Sequence, residues 1–306
     1  MTEVSAVKLS PYQHRALTAL YQHRLLTTAQ LHALLLDHGR NLRRVQERLA
    51  ELRVGGLADA VPGPGLARPL VWFVTGRGAA CVEAAHDVPA RPYRMTAELA
   101  AGPLQQHALA VAEVAVAWTA QCRHPRWAGV LETGPLDWTP EVGHRLTERI
   151  GGPALIPDAV LRVAVVDDQG ERTEHTAMVE VDRAMMSTTR LTAKLRTYMR
   201  YYNYRPGAGK PGATVGSSKR AWTSLYTGFP DTLIVLADPG TRAVDLGARL
   251  AALTASAKPI VRSIDLNPPA FYACLMPDLA DRGPFSPIYT NLVTGEAGEM
   301  PFGYLR

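Results

Sequence analysis

Cysteine is scarce in this sequence. The 306 residues hold three, and Cys81, Cys122 and Cys274 stand far apart. That spacing offers neither a disulfide framework nor a zinc cluster. Long apolar runs are missing as well: none approaches the roughly 18 residues that a membrane span needs. The first residues lack the charged-then-apolar pattern of a signal peptide. Together these absences predict a cytoplasmic protein with reduced thiols. No phosphate loop is present either, since the glycine spacing before Gly209-Lys210 is wrong and Pro211 follows the lysine. Internal repeats are absent. With 47% of residues hydrophobic, the chain still has material for a sizeable core and room for two domains.

Acid is the most unevenly missing component. Residues 183–220 hold nine Lys/Arg and no Asp or Glu, and residues 1–94 hold 12 Lys/Arg against seven acids. The rest of the chain is acidic, 12 against 21. Two basic concentrations on an otherwise acidic protein are the electrostatic footprint of a polyanion partner, with nucleic acid the leading candidate.

The first basic region has an ordered pattern. Tyr12, Ala16, Leu17, Leu20 and Tyr21 recur at helical spacing, and Thr27-Thr28 caps a second helix from Ala29 to Leu36. Asn41 caps a third through about Arg53, with Val45, Leu49 and Leu52 inward and Arg40, Arg43, Arg44, Arg48 and Arg53 on the remaining surface. Strands at 57–61 and 70–75 follow, joined by a Pro/Gly turn that carries Arg68. Helix, helix, arginine-rich helix and hairpin is the order of a winged helix-turn-helix, in which the third helix enters the major groove of double-stranded DNA. A protein-binding winged helix with a solvated basic face is the alternative.

After the Pro/Arg stretch at 88–96, residues 95–123 read as a buried helix in which Glu113 is either a satisfied edge residue or a neighbour of the acids described next. A strand is expected at 127–131. Two β-branched runs then flank Asp167-Asp168-Gln169-Gly170-Glu171, which predicts a hairpin. A loop centred near Gln169 or Gly170 sets Asp158 opposite Glu180 or Asp182, and Glu180 and Asp182 share a strand face. Three carboxylates at one hairpin end need compensating charge. Magnesium, which favours oxygen ligands, would supply it from outside, making Asp158, Glu180 and Asp182 candidate metal ligands. Arg183, Arg190 and Lys194 would supply it from within. The next helix turns Leu191, Leu195, Tyr198, Met199 and Tyr202 inward and leaves Arg190, Lys194, Arg196 and Arg200 largely outward. Residues 205–220 read as a flexible basic loop carrying Lys210, Lys219 and Arg220. A strand at 232–237, a helix at 241–256 and a strand at 259–264 complete an α/β core with a mixed sheet.

Pro157-Asp158, the strand bearing Glu180-Val181-Asp182-Arg183, and Lys194 and Tyr198 on the next helix resemble the replication-relaxation family of actinobacterial plasmids and mobile elements. That family's core in turn resembles the PD-(D/E)XK nuclease fold. The resemblance implies an α/β (α+β) chain with a winged helix-turn-helix over 1–87, a linker over 88–96 and a restriction-endonuclease-like domain over 97–306. It implies catalytic roles for Asp158 and Glu180 on magnesium, with Lys194 near the attacking water in place of the lysine that Asp182 displaces. A third anion at that position opposes hydroxide formation, so little or no cleavage is expected. The chain lacks the strand-transfer tyrosine motif and three-histidine cluster of relaxases.

Three functions compete. The favoured one is a double-stranded-DNA-binding accessory or regulatory protein of plasmid or mobile-element replication or transfer. The DNA contacts expected are Arg40, Arg43, Arg44, Arg48, Arg68, Arg183, Arg190, Arg196, Lys210, Lys219 and Arg220. The others are a magnesium-dependent nuclease and an interaction scaffold for replication or transfer proteins. Oligomeric state is left open, a homodimer included.

Overall fold

The computed structural model describes residues 9–35, 41–86, 88–91, 93–207, 219–261 and 269–299. The chain divides into two compact units, Met1–Ala120 with Gly134–Leu136, and Gln121–Thr133 with Asp137–Arg306.

The first unit begins with α1 (Pro11–His23), whose Ser10 and Gln13 form a reciprocal capping box. β1 (Leu26–Thr27) leads into α2 (Thr28–Leu35), where the Thr27 hydroxyl accepts the Gln30 N–H. α3 (Leu42–Val54) starts at Asn41, whose side chain accepts the Arg44 N–H at 3.1 Å. β2 (Ala58–Pro62) and β3 (Leu70–Val74) form the hairpin, and the antiparallel sheet order is β1-β3-β2. Buried Leu17, Leu20, Leu31, Val45, Leu49 and Leu52 form the helical core over it. This is winged helix-turn-helix topology, as the periodicity predicts.

α4 (Gly76–Ala85) then packs so tightly on the turn before β2 that a Cβ at Gly78 would lie 1.9 Å from the Leu57 carbonyl oxygen. α5 (Ala97–Ala100) and α6 (Gln105–Cys122) follow; Gly102-Pro103 breaks what the sequence reads as one helix. The division between units falls inside α6 instead of at 88–96. Its first turns are tied to the winged helix, with Gln105 donating to the Pro62 carbonyl and Gln30 donating to the Leu109 carbonyl.

The second unit is built on a mixed sheet. β4 (Leu131–Glu132) and β5 (Trp138–Pro140) both pair with β8, while β6 (His144–Arg145) and β7 (Ala154–Leu155) form a separate two-stranded ribbon. β8 (Ala159–Val166) and β9 (Arg172–Asp182) make the predicted antiparallel hairpin, with Ala159 opposite Val179. α7 (Thr188–Asn203) crosses over to β10 (Asp231–Leu236), and α8 (Leu246–Val261) crosses over to β11 (Phe271–Leu275). Both crossovers join parallel neighbours, as helical connections permit. α9 (Met276–Arg282), β12 (Tyr289–Asn291) and β13 (Ala297–Glu299) follow, giving the path β13-β12-β11-β10-β9-β8-β4. Leu191, Leu195 and Tyr198 of α7 and Leu253, Ala257 and Val261 of α8 share one core with Met178, Ile234 and Phe271 of the sheet.

Two sequence expectations fail here. The strand over 259–264 does not form in its described part, because the alanine-rich α8 continues through Pro259 to Val261; residues 262–268 lie outside the described residues. The strand at 127–131 is a run of turns that reaches β4 only at Leu131.

Candidate functional site

The β8–β9 register fixes which acids meet. Ala159 pairs with Val179, so continuing the ladder one step sets Asp158 opposite Glu180 and leaves Asp182 two residues beyond. Asp158 stands just before β8, and its Oδ2 accepts the Val181 N–H at 2.7 Å, a backbone donor beyond the last β8 partner. Glu180 is 3% exposed. α7 brings it two donors from one face, since Lys194 and Tyr198 are four residues apart. The Tyr198 hydroxyl donates to Glu180 Oε1 at 2.5 Å, and the Lys194 ammonium donates to Oε2. Lys194 Nζ also lies 3.9 Å from Asp158 Oδ1. Asp158, Glu180 and Lys194 are therefore brought together, with Tyr198 completing the cluster.

Asp182 goes elsewhere. Although it shares the Glu180 face, its Oδ2 is held at 2.5 Å by Arg249 of α8, which also donates to the Met186 carbonyl. The expected convergence of three acids thus resolves into a Lys194-centred pair and a separate Asp182–Arg249 pair. Arg183, offered as a neutralising partner, donates to the Pro239 carbonyl at 2.6 Å. Arg190 is exposed at the start of α7.

Burial controls protonation here. It pushes Glu180 up from 4.5 to about 8; the Asp158 charge adds to the rise and Lys194 opposes it. Burial pulls the Lys194 ammonium down, but the charges of Glu180 and Asp158 outweigh that and raise it. The two shifts are in tension, because Lys194 gains from Glu180 only while Glu180 is ionised. The near-complete enclosure of Glu180 decides in favour of its upward direction. Burial likewise raises Asp182 against the pull of Arg249.

A divalent ion fits this donor set poorly. The Glu180 oxygens take Lys194 and Tyr198, Asp158 takes a backbone N–H, and Asp182 takes a guanidinium. Among the described residues, no group of three or more His, Cys, Asp or Glu is placed to hold a metal. In this structure the protein's own cations and donors compensate the acids expected from sequence as magnesium ligands. Glu113 belongs to the first unit, where its carboxylate accepts from Gln30 at 2.9 Å.

The basic face of α3 is in water. Arg43 pairs with Glu47 at 3.2 Å and Arg48 with Glu51 at 2.7 Å, while Arg44 is exposed with no ionic partner among the described residues. Arg68 occupies the β2–β3 turn with φ 40° and is exposed. Arg196 and Lys219 are exposed, and the Arg220 guanidinium lies 4.1 Å over the Tyr202 ring. Arg40 and Lys210 lie outside the described residues. Sequence reasoning missed Arg249. A lone arginine in the alanine- and leucine-rich first half of α8 was the available signal.

No helix among the described residues is long and apolar enough to cross a membrane. A family model described as replication-relaxation matches residues 17–214. No curated protein matches the chain in sequence. Among solved structures, a mutant MarR from E. coli complexed with operator DNA is 21% identical, with 33% of this chain and 62% of that chain covered and a TM-score of 0.24. The reduced form of E. coli MarR matches at 21%, 33%, 63% and 0.24. A double mutant of Lactococcus lactis ZitR matches at 20%, 28%, 56% and 0.24. The chain thus spans less than two thirds of the length of each.

Proposed function

Because the chain belongs to the replication-relaxation family, we propose that it is a double-stranded-DNA-binding accessory or regulatory protein for replication or transfer of a plasmid or other mobile element. The observation that carries this reading is the winged-helix topology with Arg43, Arg44 and Arg48 solvent-facing on its third helix. In that arrangement α3 enters the major groove, and arginine reads guanine edges or clamps phosphates. Arg68 on the wing turn then touches flanking backbone.

In the second unit, Asp158 precedes β8, Glu180 lies near the end of β9 and Lys194 follows on α7. This placement supports a likeness to the PD-(D/E)XK core. Its acids are neutralised by the protein's own side chains, so the unit serves as a grip on adjacent duplex or on a partner without strong cleavage.

The test is a gel-shift series on DNA from the cognate element, with random duplex as competitor. Replacing Arg43, Arg44 and Arg48 by Ala together abolishes discrimination, since each good base contact is worth about 1–3 kcal/mol. Discrimination equal to wild type would remove the assignment.

A magnesium-dependent nuclease is the second reading, favoured by the meeting of Asp158, Glu180 and Lys194. Supercoiled plasmid incubated with magnesium or manganese decides it. The expected result is no robust cleavage, whereas cleavage that disappears in Glu180→Ala would establish the nuclease.

A further inference from the structure

The second unit has a groove of about 610 Å³ between the C-terminal half of α7 and the end of α8. Arg196 and Arg200 stand on its α7 wall one turn apart, about 6 Å along the helix axis. Both are exposed, and neither has an ionic partner among the described residues. Met199 and Ile260 give the groove an apolar lining, while Asn203 and Tyr204 extend it past the helix end. Among the described residues, no acidic residue lines it. The Tyr204 ring is half-buried and contacts no other aromatic ring among the described residues.

Two neighbouring guanidiniums with no counter-charge among the described residues suit closely spaced anions, which they bind through charge-assisted hydrogen bonds. The apolar and aromatic lining asks for something more than anions. A duplex presents phosphates but keeps its base faces stacked inside, so it offers nothing to that lining. A single strand offers both, phosphates for the arginines and unstacked bases for an aromatic ring. We infer that this groove binds single-stranded DNA, with Arg196 and Arg200 on successive phosphates and Tyr204 against a base. The inference goes beyond duplex recognition by α3 and uses none of the α3 arginines.

Fluorescence anisotropy of a labelled oligothymidine of about 12 nucleotides, within the usual site sizes for single-strand binding, tests it. Wild-type full-length protein is expected to bind. Tyr204→Ala weakens binding about 5- to 150-fold, the range for losing one stacked base. Arg196→Gln with Arg200→Gln flattens the salt dependence by about 0.7 per phosphate released, roughly 1.4 in all. Tyr204→Ala keeps wild-type affinity for blunt duplex, and circular dichroism melting checks that each variant remains folded. The Arg43, Arg44 and Arg48 triple variant keeps its oligothymidine affinity whether or not α3 reads duplex, which separates the two ideas. The inference is overturned by no oligothymidine binding by wild type, by unchanged binding and salt slope in the groove variants, or by equal loss of duplex and single strand in Tyr204→Ala. Displacement of the oligonucleotide by polyglutamate at equal charge would assign the groove to an acidic peptide and likewise overturn it.

Discussion

On α3 the charged side chains stand in water, whereas at the end of β9 they are shut inside the second unit. The Arg43 side chain is 85% exposed beside Glu47, while Asp182 is 2% exposed beside Arg249. Both are ion pairs, at 3.2 Å and 2.5 Å, yet they do different things. An exposed pair gains little from its partner and exchanges it readily for a phosphate. A buried pair has already lost its water, so either member alone is a stranded charge. The α3 pairs are therefore suited to being traded for a ligand, and the β9 pairs to fixing α7 and α8 on the sheet.

The largest expected effect lies in the Asp182–Arg249 pair. Arg249→Ala strands the Asp182 carboxylate and frees the Met186 carbonyl, and should cost about 3–5 kcal/mol in urea unfolding. Replacing both members, Asp182→Leu with Arg249→Met, should recover most of that loss, because the buried site is then apolar. A double variant no more stable than Arg249→Ala would show that Arg249 matters for packing and not for charge.

Glu180 comes next, through pH. Its pKa lies at about 8 in the folded chain against an ordinary 4.5, so between those values the folded state holds more protons than the unfolded one. Stability contributed by the bound proton is full below 4.5 and is lost as pH rises towards 8. Wild type should lose on the order of 1–3 kcal/mol between about pH 5 and pH 7 relative to Glu180→Gln, which cannot titrate. Parallel stability profiles for the two proteins would mean that Glu180 stays ionised against Lys194 across that range.

How far the sequence reaches follows the same division. The winged helix was legible to within a residue or two because its signals are local: Asn41 caps α3, Gly55 ends it, and Val45, Leu49 and Leu52 keep one face. The β8–β9 hairpin was legible because the period of two leaves few registers, and one of the two considered is observed. Arg249 was not, because it lies 67 residues from Asp182 and reaches it only through the α8 crossover. The strand assigned to 259–264 misled for a related reason. Ile260 and Val261 read as β-branched strand residues, but the preceding alanines carry the helix through them. β12 and β13 fall in a Pro- and Gly-rich stretch whose short strands form only by pairing onto β11 and each other.

The smallest stability effect belongs to α3, and it completes the contrast. Arg43→Ala and Arg48→Ala each remove one exposed pair, with Glu47 and with Glu51. Water replaces the missing partner in both cases, so unfolding free energy should change by less than about 0.5 kcal/mol. Binding is the opposite case. A guanidinium on a phosphate releases condensed counterions, so each phosphate left without its arginine should flatten the logarithmic salt dependence on duplex by about 0.9. The same substitution is then nearly silent in urea and plain in a salt titration. For Arg249→Ala the order reverses, with a large loss in urea and, at a temperature where the variant stays folded, a duplex salt slope equal to wild type. If Arg43→Ala instead lowers stability by several kcal/mol, or leaves the slope unchanged, α3 is a structural helix and its basic face is merely solvated.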